Sequence, residues 1–311
     1  MSADEKTLTI VYQFGKVAST SLVNTLRLVD GLDVHQSHFL GEHALQRIVP
    51  IAVSQSTNGY FHEHLRGQLL TNVDLTYRMN RVLAGHGAHR LKVLSLSREP
   101  LDWLRSGLLQ DIDGYRSDLL AFAARAGVEG EAEDVVLQQA LVLALRQIAE
   151  LIDELGGMFA TTDDFLARGG KAMMAPFGPE LEMIVRKLFF LALRPHVWFE
   201  EHFRPCFGIG LEDFTSRDGL WVLHQPRADF AILRYEDLDE MIEDAFAALE
   251  LGPVGPLVRS NVSKSKPLAE TVTQAFASDE AEALSDRLVG SRYAAFFGYA
   301  QAPAQPGVAA E

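Results

Sequence analysis

Residues 8–28, LTIVYQFGKVASTSLVNTLRL, constrain the fold more than any other stretch of the chain. Thr7–Tyr12 is an apolar, β-branched run that reads as a short strand, and it breaks at Gln13-Phe14-Gly15. From Ser19 to Leu28 the period becomes helical, with Leu22, Leu26 and Val29 on one stripe and Ser19, Thr20 or Ser21 near the start. A strand, a tight glycine-containing loop and a helix, in that order, turn several backbone N–H groups and the positive end of a helix dipole toward one point. A phosphate or sulfate group would sit there. Lys16 adds a mobile cation and the three hydroxyls add donors. The same residues also fit a plain β-α turn with a surface lysine and a capping serine, so the loop alone does not decide between the two.

A nucleoside-triphosphate P-loop needs G-x-x-x-x-G-K-[ST]. Here the position of the first glycine is Ile10, inside the strand, and Val17 stands where the Mg²⁺-binding hydroxyl should be. The ATP and GTP pattern therefore fails twice, which counts against an ATP-dependent kinase on this scaffold.

At 311 residues, with 48% hydrophobic and 23% charged content, the chain can bury a full core. It is expected to form one α/β domain over 1–300, followed by a disordered tail at 301–311 rich in Ala and Pro. The net charge is −14, unevenly spread. Residues 1–100 carry 10 Lys and Arg against 8 Asp and Glu, and the remainder 18 against 34. That balance, with no basic stripe and no zinc-finger spacing, argues against general nucleic-acid binding. The longest uncharged apolar run, Val135–Leu145, is short of a bilayer span, and MSADEKTLTI lacks a signal-peptide pattern. The lone Cys206 has no partner for an internal disulfide, and a cytoplasmic location is expected.

Further along, Leu32–His38 reads as a second strand, Leu91–Ser97 as a third and Asp229–Arg234 as the last. Long helical patterns run over Glu131–Leu155 and Glu180–Leu193, so 111–225 reads as a mainly helical insertion. Its aromatic residues Trp198, Phe199, Phe203, Phe207 and Phe214 fit core packing best. Two short helices, Asp279–Leu288 and Ser291–Phe297, finish the fold. Alternating strands and helices with the phosphate loop after the first strand predict a three-layer α/β/α domain with a central parallel sheet, its ligand at the carboxyl ends of the strands.

Arg98 ends the third strand, and Ser106 lies two turns into the next helix, so a guanidinium and a hydroxyl could converge on one phosphate. Seven of the ten histidines precede residue 90. Among them His38 stands out because it ends the second strand at the phosphate-loop edge, with His62-Glu63-His64 as the alternative base. A His62/His64 pair at i, i+2 with no carboxylate cluster gives little reason to expect a metal.

Gly15-Lys16-Val17-Ala18-Ser19-Thr20-Ser21 resembles the 5′-phosphosulfate loop of sulfotransferases that use 3′-phosphoadenosine 5′-phosphosulfate (PAPS). Its Ala-Ser-Thr-Ser core is intact, with Gly15 for the usual proline and Val17 for the usual threonine. Arg98 and Ser106 have the eight-residue spacing of that family's 3′-phosphate site, with Glu99 in place of Asp or Asn. Leu233-Arg234-Tyr235-Glu236-Asp237-Leu238 is similar to a segment after a late strand, Asn261–Lys266 stands where a loop closes over the nucleotide, and Phe296-Phe297-Gly298-Tyr299 is similar to the last helix. The nearest similarity is to bacterial capsular polysaccharide synthesis and carbohydrate sulfotransferase-like proteins. The resemblance implies a P-loop sulfotransferase fold in which the insertion 111–225 shapes the acceptor site. It implies binding of PAPS, or the product PAP, by residues 15–21, Arg98, Ser106, Tyr235, Lys264 and Lys266, with Lys16 and His38 catalytic and no metal required. The acceptor would be a carbohydrate or small-molecule hydroxyl. A non-catalytic nucleotide-binding protein is the remaining alternative.

Overall fold

The computed structural model describes residues 6–46, 59–87, 89–170, 182–253, 255, 257–258 and 268–300, with the side chains of 59–66 and 169–170 outside the description. The chain is α/β, with a six-stranded sheet formed by β1 (Thr7–Tyr12), β2 (Leu32–Ser37), β3 (Leu91–Ser97), β4 (Thr215–Arg217), β5 (Leu220–His224) and β6 (Ala228–Arg234). Their order is β2-β1-β3-β6-β5-β4.

The four strands read from the sequence are β1, β2, β3 and β6, and these pair in parallel. The expected parallel sheet is nevertheless corrected to a mixed one, because β4, β5 and β6 pair antiparallel. The physical reason is two tight hairpins, one at Pro226-Arg227, where Gln225 N donates to Ala228 O at 2.8 Å, and one at Asp218-Gly219. Asp218 and Gly219 both take positive φ, 51° and 88°. That is what the tight primed turn needs to match the twist of its flanking strands.

Every residue of β3 is buried, as are five of the six in β1. This is the signature of strands covered on both faces, and their Val, Leu and Ile content follows from it. From β1 the chain passes to β2 on one side, then returns to β3 on the other. The carboxyl end of β1 is therefore the point where strand order reverses, the usual place for a ligand crevice in such sheets.

Contacts divide the chain into two compact units, Met1–Arg98 with Trp198–Asn261, and Glu99–Val197 with Val262–Glu311. In the first, helix Ser19–Leu26 packs on β1 and β2, Gly59–Leu83 on β3, and Leu238–Ala248 on β5 and β6. At the amino end of β3 and β6, the strand register sets Lys92 against Asp229. Their side chains form a buried ion pair 2.9 Å long, and Arg90 and His224 also bond the same carboxylate.

The second unit is helical. Helix Glu133–Glu154 is its axis, burying Leu141, Leu145, Ile148 and Ile152 against Leu108, Leu188, Phe189 and Leu284. Among the described residues this helix alone is long and apolar enough to cross a membrane, and here that apolar surface builds the core. The helices within 111–225 divide accordingly. Those up to Val197 belong to this unit, whereas Trp198–His224 runs through the sheet unit and ends in the hairpin. Helix Pro100–Arg125 opens on the carboxylate of Glu99, which accepts from Leu101 N at 3.1 Å and Asp102 N at 2.6 Å, with Pro100 in the first turn. In the same unit His196 is buried, and its Nδ1 lies 2.8 Å from Ser291 Oγ.

Candidate functional site

The loop after β1 has an unusual backbone. Gly15 has φ 91°, and the non-glycine residues Lys16 and Ala18 have φ 58° and 60°. Left-handed geometry costs an L-residue about 1 to 2 kcal/mol, so two such residues so close together persist only where the surroundings impose them. Successive residues in and out of this region curl the amides into a concave nest that suits an anion. Ala18 is the N-cap of helix Ser19–Leu26, and no side-chain cap hydrogen bond closes the helix start. None of the nearby hydroxyls caps it. Ser19 Oγ accepts from Gln36 Nε2 at 2.9 Å, Ser21 is buried and Thr20 is exposed. Val17 is fully buried, so its side chain faces the core and not the loop's concave side.

The strand register explains what surrounds the loop. Tyr12 is paired with Ser37, so Gln13 and His38, the next residue of each chain segment, emerge side by side. Gln13 ties them together. Its side-chain oxygen accepts from Gly15 N, its backbone oxygen lies 2.8 Å from His38 Nδ1, and its Nε2 is 3.4 Å from the same nitrogen. Donation from Nδ1 to a carbonyl selects the tautomer whose basic nitrogen is Nε2. A Cβ built at Gly15 would stand 3.9 Å from His38 Cε1, an ordinary contact, so it is the φ of 91° and not crowding by the ring that favours glycine there.

On the other side, β3 and β6 are paired to their ends at Ser97 and Arg234. This register brings Arg98 beside Tyr235. The guanidinium carbon lies 4.3 Å from the centre of the Tyr235 ring, and Arg98 Nη1 donates to Lys16 O at 2.7 Å. Gly15, Lys16, His38, Arg98 and Tyr235 are thus gathered at one sheet edge. Ser106 belongs to helix Pro100–Arg125 in the helical unit. Lys264 and Lys266 lie outside the described residues, as do the side chains of His62, Glu63 and His64 and the tail 301–311.

Aromatic packing stiffens the floor. Tyr12 is fully buried, with ring centres at 4.8 Å to Trp198, 6.1 Å to Phe203 and 5.7 Å to Phe207. Its hydroxyl accepts from Leu40 N and donates to His202 O, each at 3.2 Å, and burial pushes its pKa well above the usual tyrosine value. Trp198 Nε1 donates to His38 O at 3.3 Å, and Gly41 N to Thr76 Oγ1 at 3.2 Å. The segment 38–41 that carries His38 is therefore fastened at three points. A cleft of about 450 Å³, lined by Gln36, Phe39, Gln68, Thr71 and Asn72, opens at His38. Among the described residues no three His, Cys, Asp or Glu side chains are grouped as metal ligands would be.

Two residues of this site were not read from the sequence. The sequence pattern marks Gln13 only as part of the break after a strand, although a polar residue directly after an apolar run and close before a glycine is a candidate for bonding the loop it starts. Trp198 was read as packing. It does pack, and it also holds the His38 carbonyl. Compared with family models, with curated proteins and with solved structures, the chain matches none.

Proposed function

We propose that this chain is a sulfotransferase that moves a sulfuryl group from PAPS to a hydroxyl of a carbohydrate or small metabolite, on a three-layer α/β/α fold of the P-loop sulfotransferase kind. The observation that carries the reading is the joint attachment of one left-handed loop. Gln13 links it to His38 on one side, and Arg98 bonds Lys16 O on the other. A plain β-α turn needs neither attachment.

PAPS supplies the activated sulfuryl group when bound. The loop amides of residues 15–19 and the hydroxyl of Thr20 suit the phosphosulfate oxygens, and the Arg98 guanidinium suits a further phosphate. As the acceptor oxygen bonds to sulfur, the bond from sulfur to the 5′-phosphate oxygen breaks. The acceptor proton passes to His38 Nε2, and Lys16 offsets the charge that develops on the departing oxygen. The buried Val17 in place of a hydroxyl residue disfavours a Mg-nucleotide kinase. Burial pushes the Cys206 thiol up to about 12, so it is no candidate nucleophile.

The test is conversion of PAPS to PAP across a panel of hydroxylated sugars and metabolites. Acceptor-dependent conversion is expected with at least one of them, and its absence throughout, in protein that binds PAP, would leave only a nucleotide-binding role.

A further inference from the structure

At the opposite end of β1 from the loop lies a second concave site. Lys6, just before β1, and Leu8 within it form one wall, and the last turns of helix Gly59–Leu83 close it with Arg78, Arg81 and Val82. His86 and His89 complete a cleft of about 270 Å³. Five of its side chains are thus basic, on a chain of net charge −14, and no carboxylate lines it among the described residues. Arg78 is committed, since it pairs with Asp33, lies 3.9 Å from Asp74 and bonds His35 at 3.2 Å. Lys6 and Arg81 are exposed and have no ion-pair partner among the described residues.

A helix carboxyl terminus ordinarily repels anions through its bare carbonyls. Here three of those carbonyls are taken. Asn80 O accepts from Ala84 N, Val82 O from Gly85 N and Arg81 O from His86 N, each at 2.9 Å. The turn that does this needs a left-handed residue, which is Gly85 with φ 86°. What the helix end presents to the cleft is therefore side-chain cations rather than backbone oxygens. Concave walls focus the field of such charges. The buried Leu8 and the half-buried Val82 add apolar surface for the uncharged part of a ligand.

We propose that this cleft binds a small molecule carrying a phosphate or sulfate monoester, with Lys6 and Arg81 as its charge partners. The site is separate from the loop. β1 spans six residues between them, roughly 17 to 20 Å of extended chain. The proposal does not depend on the sulfotransferase reading.

The experiment is calorimetric titration of the full chain with a hexose 6-phosphate, the hexose 6-sulfate and the neutral hexose, with amide NMR shifts recorded alongside. One ester at least is expected to bind, shifting the amides of 6–8 and 81–89, and Lys16→Ala is expected to leave that affinity within about twofold, as for independent sites. A Lys6→Ala/Arg81→Ala double variant, with both changes on exposed positions and its fold checked by thermal melting, is expected to weaken binding about tenfold or more. The phosphate and sulfate arms tell which ester the cleft takes. The proposal is overturned if neither ester binds, if the neutral hexose binds equally, if the double variant binds as the wild type does, or if only the 15–21 amides shift.

Discussion

Arg98 donates from Nη1 to the backbone oxygen of Lys16 across 2.7 Å, so the residue after β3 holds the loop after β1 in its left-handed form. The same guanidinium lies over the Tyr235 ring at 4.3 Å, which fixes its plane. One arginine therefore supports the loop and, in the proposed function, meets a nucleotide phosphate.

Replacing it should accordingly do two things. Arg98→Ala is expected to lower the affinity for PAP by about tenfold or more, from loss of a charge-assisted contact. It should also speed hydrogen exchange at the amides of 15–19, because their anchor is gone. Arg98→Lys restores the charge but not the fork, and should recover PAP affinity only in part. Exchange and titration measured on the same three proteins check this.

His38→Ala is expected to cut turnover about 10²- to 10⁴-fold with little change in PAP affinity, the range for loss of a general base. Gln13→Leu keeps the backbone carbonyl that bonds His38 Nδ1 but removes the side-chain acceptor of Gly15 N. It should lower turnover less, and chiefly by loosening the loop. Steady-state kinetics beside PAP titration separates the two, and the opposite ordering would move the base away from His38.

Lys16→Ala should reduce turnover by roughly 10² or more while weakening PAP binding much less, since charge on the departing oxygen grows only in the transition state. Lys16→Arg should rescue incompletely, because a planar guanidinium does not replace a compact ammonium. Wild-type turnover in Lys16→Ala would reduce the loop to a β-α turn.

Two buried groups predict how stability responds to acid. Burial lowers the pKa of His196 to about 3 from an ordinary 6.5, so the unfolded chain takes up a proton that the folded unit refuses. Stability is whole above pH 6.5 and falls as pH drops toward 3, by up to about 5 kcal/mol for this group. Asp229 acts lower on the scale. Its burial raises its pKa, but bonds from Arg90, Lys92 and His224 outweigh that and hold it at about 2, below the ordinary 3.8. Its share, about 2 kcal/mol, is present above pH 4 and is lost as pH falls through 2. Urea unfolding from pH 7 to 4 is expected to show a shallower pH slope for His196→Phe than for the wild type. Equal slopes would place the acid sensitivity elsewhere. Lys92→Met is expected to cost about 1.5 to 3 kcal/mol at pH 7, less than breaking an isolated buried pair, because Arg90 and His224 still bond the Asp229 carboxylate.

The central half of the sheet was legible because β1, β3 and β6 are short runs rich in Val, Leu and Ile, with apolar and polar residues alternating in β3, each ended by a break such as Gln-Phe-Gly, Arg-Glu-Pro or Tyr-Glu-Asp. β4 was not legible, since Thr215, Ser216 and Arg217 are all exposed and carry no alternation. The Asp218-Gly219 pair was the available signal, a two-residue hairpin turn between short runs. Within the site, Lys16, His38 and Arg98 could be named from strand ends, because a parallel sheet brings those ends to one edge. Gln13 could not, because its role depends on register. Only when Tyr12 is set opposite Ser37 do Gln13 and His38 become neighbours.

The measurement that bears most directly on the proposed function is calorimetric titration of the wild-type chain with PAP and, separately, with ADP, which lacks the 3′-phosphate. A site that anchors one phosphate on the 15–19 loop and reads another through Arg98 should bind PAP at least about tenfold more tightly, or roughly 1.5 to 3 kcal/mol. Equal affinities, or no heat with either nucleotide, would contradict it.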